Sequence, residues 1–332
     1  MKIGIIPSNN GLGHITRSIQ LSNYLIKKYS IKLIAPKKKI KKFKLNNKIK
    51  TFEFDMNLKI KKNNYNYNWF RNLKINLINK SDLLVSDNLP EILKFHKNSI
   101  LFANFFWHHI LKINPQKKKI INQDIRLSKY PIICNYLFVD KKIIDNFSVK
   151  KVGFFGKFKG KKKKCIKNIL ISIGTAKLEN KILKKMKTEI HEMIQKSSVK
   201  KFNFYIEPII FKKLKFSFKK NIFLADYSRD MYKKIDLAII KPGLGTVTNC
   251  LEHSIPMICY LKNFNKEFVH NSNMIVKKKL GFKVFSLKET LNIINKKIDN
   301  NFYLNNYYFV CKKKIKWNGE KEIMKLIEKN FS

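Results

Sequence analysis

Arginine is almost missing from this 332-residue chain. Of its 71 basic residues only Arg17, Arg71, Arg126 and Arg229 are arginine, and the other 67 are lysine. Acidic residues number 22, which leaves a formal charge of +49. Such a charge points on its face to nucleic acid or an anionic surface. Proteins that read bases and phosphates, however, rely on arginine's planar fork. Lysine, asparagine and isoleucine recur along both halves, as in a chain from an AT-rich genome that fills its solvated faces with lysine. Specific nucleic-acid binding is therefore not expected, although so many lysines still attract anionic lipid or phosphorylated compounds at low salt. The five cysteines are odd in number and none forms a CxxC pair, which excludes a disulfide scaffold and a zinc ribbon and fits reduced, buried thiols. With no HExxH and no acidic cluster, no metal is expected, and no other cofactor either. No apolar run reaches the ~18 residues of a spanning helix, and "MKIGIIPSNN" is too short for a signal peptide. The expected location is the cytoplasm, with peripheral contact at the inner face of the membrane as the alternative.

What is present is an alternation of short apolar runs and longer amphipathic ones. "KIGIIP", "IKLIAP", "DLLVSD", "SILFAN" and "YLFVD" read as strands of the first half. In the second half the strands are "NILISIG", "KFNFYIE", "NIFLAD", "DLAIIKPG" and "PMICYL". Ile15, Ile19, Leu21, Tyr24 and Leu25 have helical spacing. Continuous rather than alternating apolar strands, with helices between them, predict parallel sheets covered on both faces. The expectation is an α/β protein of two Rossmann-like domains, 1–156 and 165–316, facing across a cleft. The lysine-rich "VGFFGKFKGKKKKC" reads as the linker, and an amphipathic helix at 320–331 is expected to pack back on the first domain. In such sheets ligands sit at the carboxyl ends of strands.

"SNNGLGHITRS" is a strand-to-helix turn of the kind that receives phosphates or other anions. A dinucleotide fingerprint fails there, because Gly11 and Gly13 are followed by Thr16 where a third glycine belongs. The acidic ribose ligand is missing as well, since the second strand ends in "PKKK". The loop offers instead His14, whose imidazole can take a proton from a substrate hydroxyl or can merely cap or pack at the turn, and Arg17 one turn later. Asp87 and Asn88 end the "LLVS" strand; Asp87 is placed to orient His14, to act as base itself, or to cap the next helix. Asn104, Trp107 and His108 follow "ILFA" in the same way, as acceptor-side residues or as core. The aromatic-rich "NNYNYNWF" at 63–70 is an acceptor or membrane loop, or a surface loop with one buried tryptophan. In "DLAIIKPGLGTVTNCLEHSIP", Pro242, Gly243 and Gly245 make a turn and Thr246 and Thr248 open a helix. Free N–H groups and both hydroxyls there suit a diphosphate; an ordinary crossover has the same pattern.

"GLGHITRS", "ILISIGT", "KPGLGTVTNCLEHSIP" and "HNSNMIVKKKLGF", in this order, resemble the GT-B glycosyltransferases. The nearest group is the one around the enzyme that adds N-acetylglucosamine to the lipid-linked peptidoglycan precursor. "LLVSDNLPEIL" and "ILFANFFWHHI" resemble middle segments of the same wider group. The resemblance implies an inverting, metal-independent cell-envelope transferase that moves a sugar from a UDP-type donor to a glycan or lipid-linked acceptor. By it, Gly243, Gly245 and Thr246 hold the diphosphate, and Ser172, Gly174 and Thr175 form the turn opening the donor domain. Gly13 and His14 belong to the facing acceptor loop. Asn249 stands where the family has a ribose-binding glutamate, with Glu252 one turn on. Val269 and His270 replace its sugar-reading Glu-Gln pair, with Glu267 nearby. A hydrolase of the pseudaminic-acid type shares the G-x-GH-x-x-R loop, but its second domain opens with Gly-Gly-x-Asp, against "IGTAK" here. The departures at Asn249 and His270 also fit a non-catalytic nucleotide-sugar binder.

Overall fold

In the computed structural model, residues 1–8, 12–41, 43–55, 73, 78–173, 180–195, 202–214, 221–261, 266–298 and 300–331 are described. Seven strands form one sheet: β1 (Lys2–Pro7), β2 (Ser30–Ile34), β3 (Lys50–Phe52), β4 (Leu83–Asp87), β5 (Ser99–Phe102), β6 (Ile132–Asn135) and β7 (Val149–Val152), in the order β3-β2-β1-β4-β5-β6-β7. Six more form a second sheet: β8 (Asn168–Ser172), β9 (Asn203–Ile206), β10 (Ile222–Leu224), β11 (Leu237–Ile240), β12 (Met257–Tyr260) and β13 (Gly281–Val284), in the order β10-β9-β8-β11-β12-β13. Every pairing in both sheets is parallel. Strand order reverses between β1 and β4 and again between β8 and β11. Those two crevices, at the carboxyl ends, are where a doubly wound sheet receives its ligands.

Period-two alternation fills both faces of the first sheet. Ile3, Ile5, Leu83, Val85 and Ile100 join one apolar cluster, while Ile6, Leu84 and Leu101 join the other. Two covered faces explain why these strands read as unbroken apolar runs. The chain divides into two units, Met1–Gly156 with Lys316–Ser332, and Lys157–Ile315. In the first unit the terminal helix Gly319–Phe331 places Ile323 and Ile327, both fully buried, beside Ile15 and Ile19 of helix Leu12–Leu25. Its entry is held by Glu320 and Glu322, which accept from the N–H groups of Gly156 and Gly153. Part of the expected linker belongs to the second unit: Lys163 Nζ meets Asp236 Oδ1 at 3.0 Å, and Lys159 pairs with Glu252.

Two expectations change. "YLFVD" is not a strand: β6 stops at Asn135, whose side chain accepts from Leu137 N and turns the chain. Four strands were not anticipated: β6, which precedes "YLFVD" inside the sheet, and β3, β7 and β13. The last three lie at sheet edges, where lysines such as Lys50, Lys150, Lys151 and Lys283 break the apolar run and guard the open edge.

Candidate functional site

In the first unit, β1 and β4 end side by side, with Pro7 in register with Asp87 and Ser8 N donating to Asp87 O at 2.9 Å. This places the Asp87 side chain, only 2% exposed, under the first turn of helix Leu12–Leu25. His14 Nδ1 lies 2.8 Å from Asp87 Oδ1. Arg17, one turn on, donates through Nε to Oδ2 at 3.0 Å and through its terminal nitrogen to Oδ1. The guanidinium is backed by the Phe102 ring, 4.1 Å away. Burial, the strongest single influence, pushes the Asp87 carboxyl up. The charges of Arg17 and His14 and the hydrogen bonds of both outweigh it, and hold the group below the ordinary carboxylate value. Asp87 is thus a fixed anion. A carboxylate can only accept, so His14 Nδ1 is the donor to Asp87, which leaves Nε2 as the ring nitrogen turned away from the pair.

Other first-unit expectations are corrected. Asn104, Trp107 and His108 are buried, at 8%, 3% and 1% exposure. Asn104 Oδ1 accepts from Asn135 N at 2.7 Å, and Trp107 joins an apolar cluster. His108 Nε2 faces Asn122 Oδ1 at 2.9 Å, and burial, with His109 beside it, pushes the imidazole down to about 3. These three side chains build the interior rather than an acceptor surface. Two of the three nitrogens of the Arg17 guanidinium, Nε and one terminal nitrogen, are directed to Asp87. Gly13 is exposed on the first helical turn, whereas Gly11 and the 63–70 segment lie outside the described residues.

The second unit repeats the plan at β8 and β11. Ser172 ends β8 and donates to Glu207 Oε2 at 3.1 Å, with the Tyr227 hydroxyl 2.9 Å from its own oxygen. Burial and the nearby Glu207 carboxylate push the Tyr227 phenol well up, so it stays protonated. Lys241 N donates to Ser172 O at 2.9 Å and locks the ends of the two strands together. The chain then turns through Pro242 into helix Leu244–Glu252, with Gly243 as N-cap and no side-chain cap. The turn is braced from helix Lys266–Lys277: buried Asn271 donates to Pro242 O at 2.9 Å, and Lys241 Nζ lies 4.8 Å from the Phe268 ring. Gly245 and Thr246 occupy the first turn of the helix, half-buried. An uncapped helix start presents N–H groups and a positive dipole end to an anion.

Here too some expectations shift. Gly245 is already helical, and the Thr248 hydroxyl donates to Leu244 O at 2.8 Å rather than opening toward a ligand. Asn249 shares a side-chain hydrogen bond with Tyr232. Glu252 sits at the far end of the helix, ~12 Å from its start at 1.5 Å per residue, buried and paired with Lys159; it is too distant to replace a ribose ligand at the turn. Glu267 and His270 lie half-buried on helix Lys266–Lys277, and Gly174 and Thr175 fall outside the described residues. Sequence reasoning missed Glu207, Tyr227 and Asn271. An acidic residue at the carboxyl end of "KFNFYIE" was the available signal for Glu207. Among the described residues no three His, Cys, Asp or Glu side chains converge as a metal site, and no helix is long and apolar enough to cross a membrane.

The sequence matches no protein-family model and no curated protein. Solved structures do share its fold. The glycotransferase of kitacinnamycin is similar with a TM-score of 0.64 at 10% identity, over 100% of this chain and 99% of its own. A spinosyn forosaminyltransferase gives 0.64 at 8% identity, over 99% of each chain. A spinosyn rhamnosyltransferase complexed with thymidine diphosphate gives 0.64 at 10% identity, over 99% of this chain and 100% of its own. The two parallel α/β sheets of this chain are those of the GT-B fold.

Proposed function

We propose that the chain is a glycosyltransferase that takes a sugar from a nucleoside diphosphate donor and passes it to an acceptor hydroxyl with inversion. The observation that carries this reading is the His14–Asp87–Arg17 constellation at the β1/β4 crevice of a GT-B fold. Support also comes from the solved structures with this fold, which are sugar transferases, one of them complexed with thymidine diphosphate. Uridine diphosphate is the donor nucleotide that the sequence resemblance favours, and a glycan or lipid-linked molecule the acceptor.

In this mechanism the diphosphate rests on the helix start after Gly243, where the N–H groups of the first turn and the Thr246 hydroxyl meet its oxygens. Asn271 keeps the turn in place. His14 Nε2 removes the proton of the acceptor hydroxyl as its oxygen bonds to the anomeric carbon. The bond from that carbon to the phosphate oxygen breaks on the opposite side, and the nucleoside diphosphate leaves with the electron pair. The imidazolium so formed is stabilised by Asp87. The N–H groups stabilise the charge growing on the leaving oxygens without any metal being needed.

A transfer assay with EDTA present tests this. Purified protein, UDP- and dTDP-sugars and a panel of glycan and polyprenyl-phosphate acceptors should give glycosylated product with one nucleoside diphosphate released per sugar transferred. Free sugar in stoichiometric amounts, with acceptors ignored, would make the protein a hydrolase instead. Failure to bind any nucleotide sugar would end the enzymatic reading.

A further inference from the structure

The second unit carries an exposed aromatic and basic face that holds none of the residues assigned above to sugar transfer. Helix Asn301–Phe309 and the π-helical turn Val310–Lys314 bury Leu304, Tyr307 and Cys311 on their inner side. On the outer side Phe302 is 85% exposed and Phe309 42%. Seven residues separate them, so they share one face about 10 Å apart along the axis. Lysines surround the second ring: Lys162 Nζ lies 5.0 Å and Lys313 Nζ 5.8 Å from the Phe309 centroid. Lys312 Nζ stands 5.7 Å from the Tyr308 ring, which meets Phe309 and Phe158 at 5.5 Å each. Residues 153–167 and 300–317, which supply this face, contain no Asp or Glu.

We propose that this face docks the protein on an anionic phospholipid surface. Phe302 and Phe309 enter the headgroup layer, and Lys162, Lys312 and Lys313 meet the lipid phosphates. Large apolar rings left in water on the outside of a helix gain by burial, and lysine stems can lie along apolar surface while their ammonium groups reach an anionic one. An RNA partner fits less well, since neither segment contains any of the four arginines. The inference stands apart from the transferase reading, because vesicle binding requires no turnover.

The test is co-sedimentation of the full chain with phosphatidylglycerol-containing vesicles and with pure phosphatidylcholine vesicles, at ~0.15 M salt where exposed charges are screened beyond about 8 Å. A chain this basic adheres to any anionic surface, so the deciding variant keeps its charge. Phe302→Ser/Phe309→Ser should bind phosphatidylglycerol vesicles at least about tenfold more weakly, with its melting curve unchanged. Lys162→Gln, Lys312→Gln and Lys313→Gln should each cost about fivefold. Lys117→Gln/Lys119→Gln, exposed on the first unit, should cost less. The emission of Phe302→Trp should be quenched by brominated lipid. The proposal is overturned if the phenylalanine pair variant binds vesicles like the wild type, or if brominated lipid leaves the Phe302→Trp emission untouched. It is also overturned if the pair variant loses affinity for RNA or for a second copy of the chain, rather than for vesicles.

Discussion

Both carboxylate oxygens of Asp87 are engaged, one by His14 and both by Arg17, and this decides what the residue can do. A carboxylate held by a guanidinium in the interior is a poor proton acceptor and a good anchor. His14→Ala should therefore lower turnover by about 10²–10⁴, read as kcat in the transfer assay, with donor KM little changed. Asp87→Ala strands the partly buried Arg17 charge and should cost about 3 kcal/mol in urea unfolding, the usual penalty for breaking such a pair. The pH dependence follows from the sign of the shift. The folded Asp87 carboxyl is held below its unfolded value, so its stabilisation is complete above the unfolded carboxylate range and is lost as pH falls through the folded value. Acid unfolding monitored by circular dichroism should show a limb at low pH that Asp87→Asn lacks. From the sequence, His14, Arg17 and Asp87 were separately legible as chemistry-bearing residues at strand ends. The meeting of Asp87 with His14 was legible as one of three alternatives, whereas Arg17's place on the same carboxylate was not, because it depends on the β1–β4 pairing across a long stretch of chain. Trp107 and His108 misled for the opposite reason: polar and aromatic residues after a strand look the same whether they face a ligand or fold back into the core.

The elements of the second unit set the geometry of the glycine turn, and here a side chain outside the turn matters. Asn271→Ala removes a buried side-chain donor to Pro242 O and should raise donor KM more than it lowers kcat, at a stability cost of about 1 kcal/mol. That split separates a positioning role from simple destabilisation, which would lower active-enzyme concentration and leave KM alone. Gly281 makes a second test at this scale. A Cβ there would lie 2.2 Å from Met257 O, against neighbouring strand β12, so Gly281→Ala must push β13 outward and should cost at least about 2 kcal/mol. Most central strands were legible because burial on both faces demands unbroken apolar runs, although β6 was missed in favour of "YLFVD" just after it. Of the edge strands only β10 was read, as "NIFLAD"; β3, β7 and β13 were not, because lysines on their open side break the run.

For the molecule as a whole, the chain returns to its first unit at Lys316, and the terminal helix completes a core begun at Ile3. Ile323→Ala and Ile327→Ala remove fully buried side chains and should each destabilise by about 2–5 kcal/mol, seen as an earlier thermal transition. The plan of two doubly wound units could be read from the sequence because strand-helix alternation and two glycine turns recur in order. The net charge of +49 says little about fold or catalysis and a good deal about which surfaces the protein will meet.

The measurement that bears most directly on the central claim is a paired one on wild type and His14→Ala: donor Kd by calorimetry and sugar transfer under single-turnover conditions. Our account assigns donor binding to the Gly243 turn and proton removal to His14. It predicts unchanged Kd with transfer slowed by a factor of about 10² or more. Equal transfer rates in the two proteins, or no nucleotide-sugar binding by either, would contradict it.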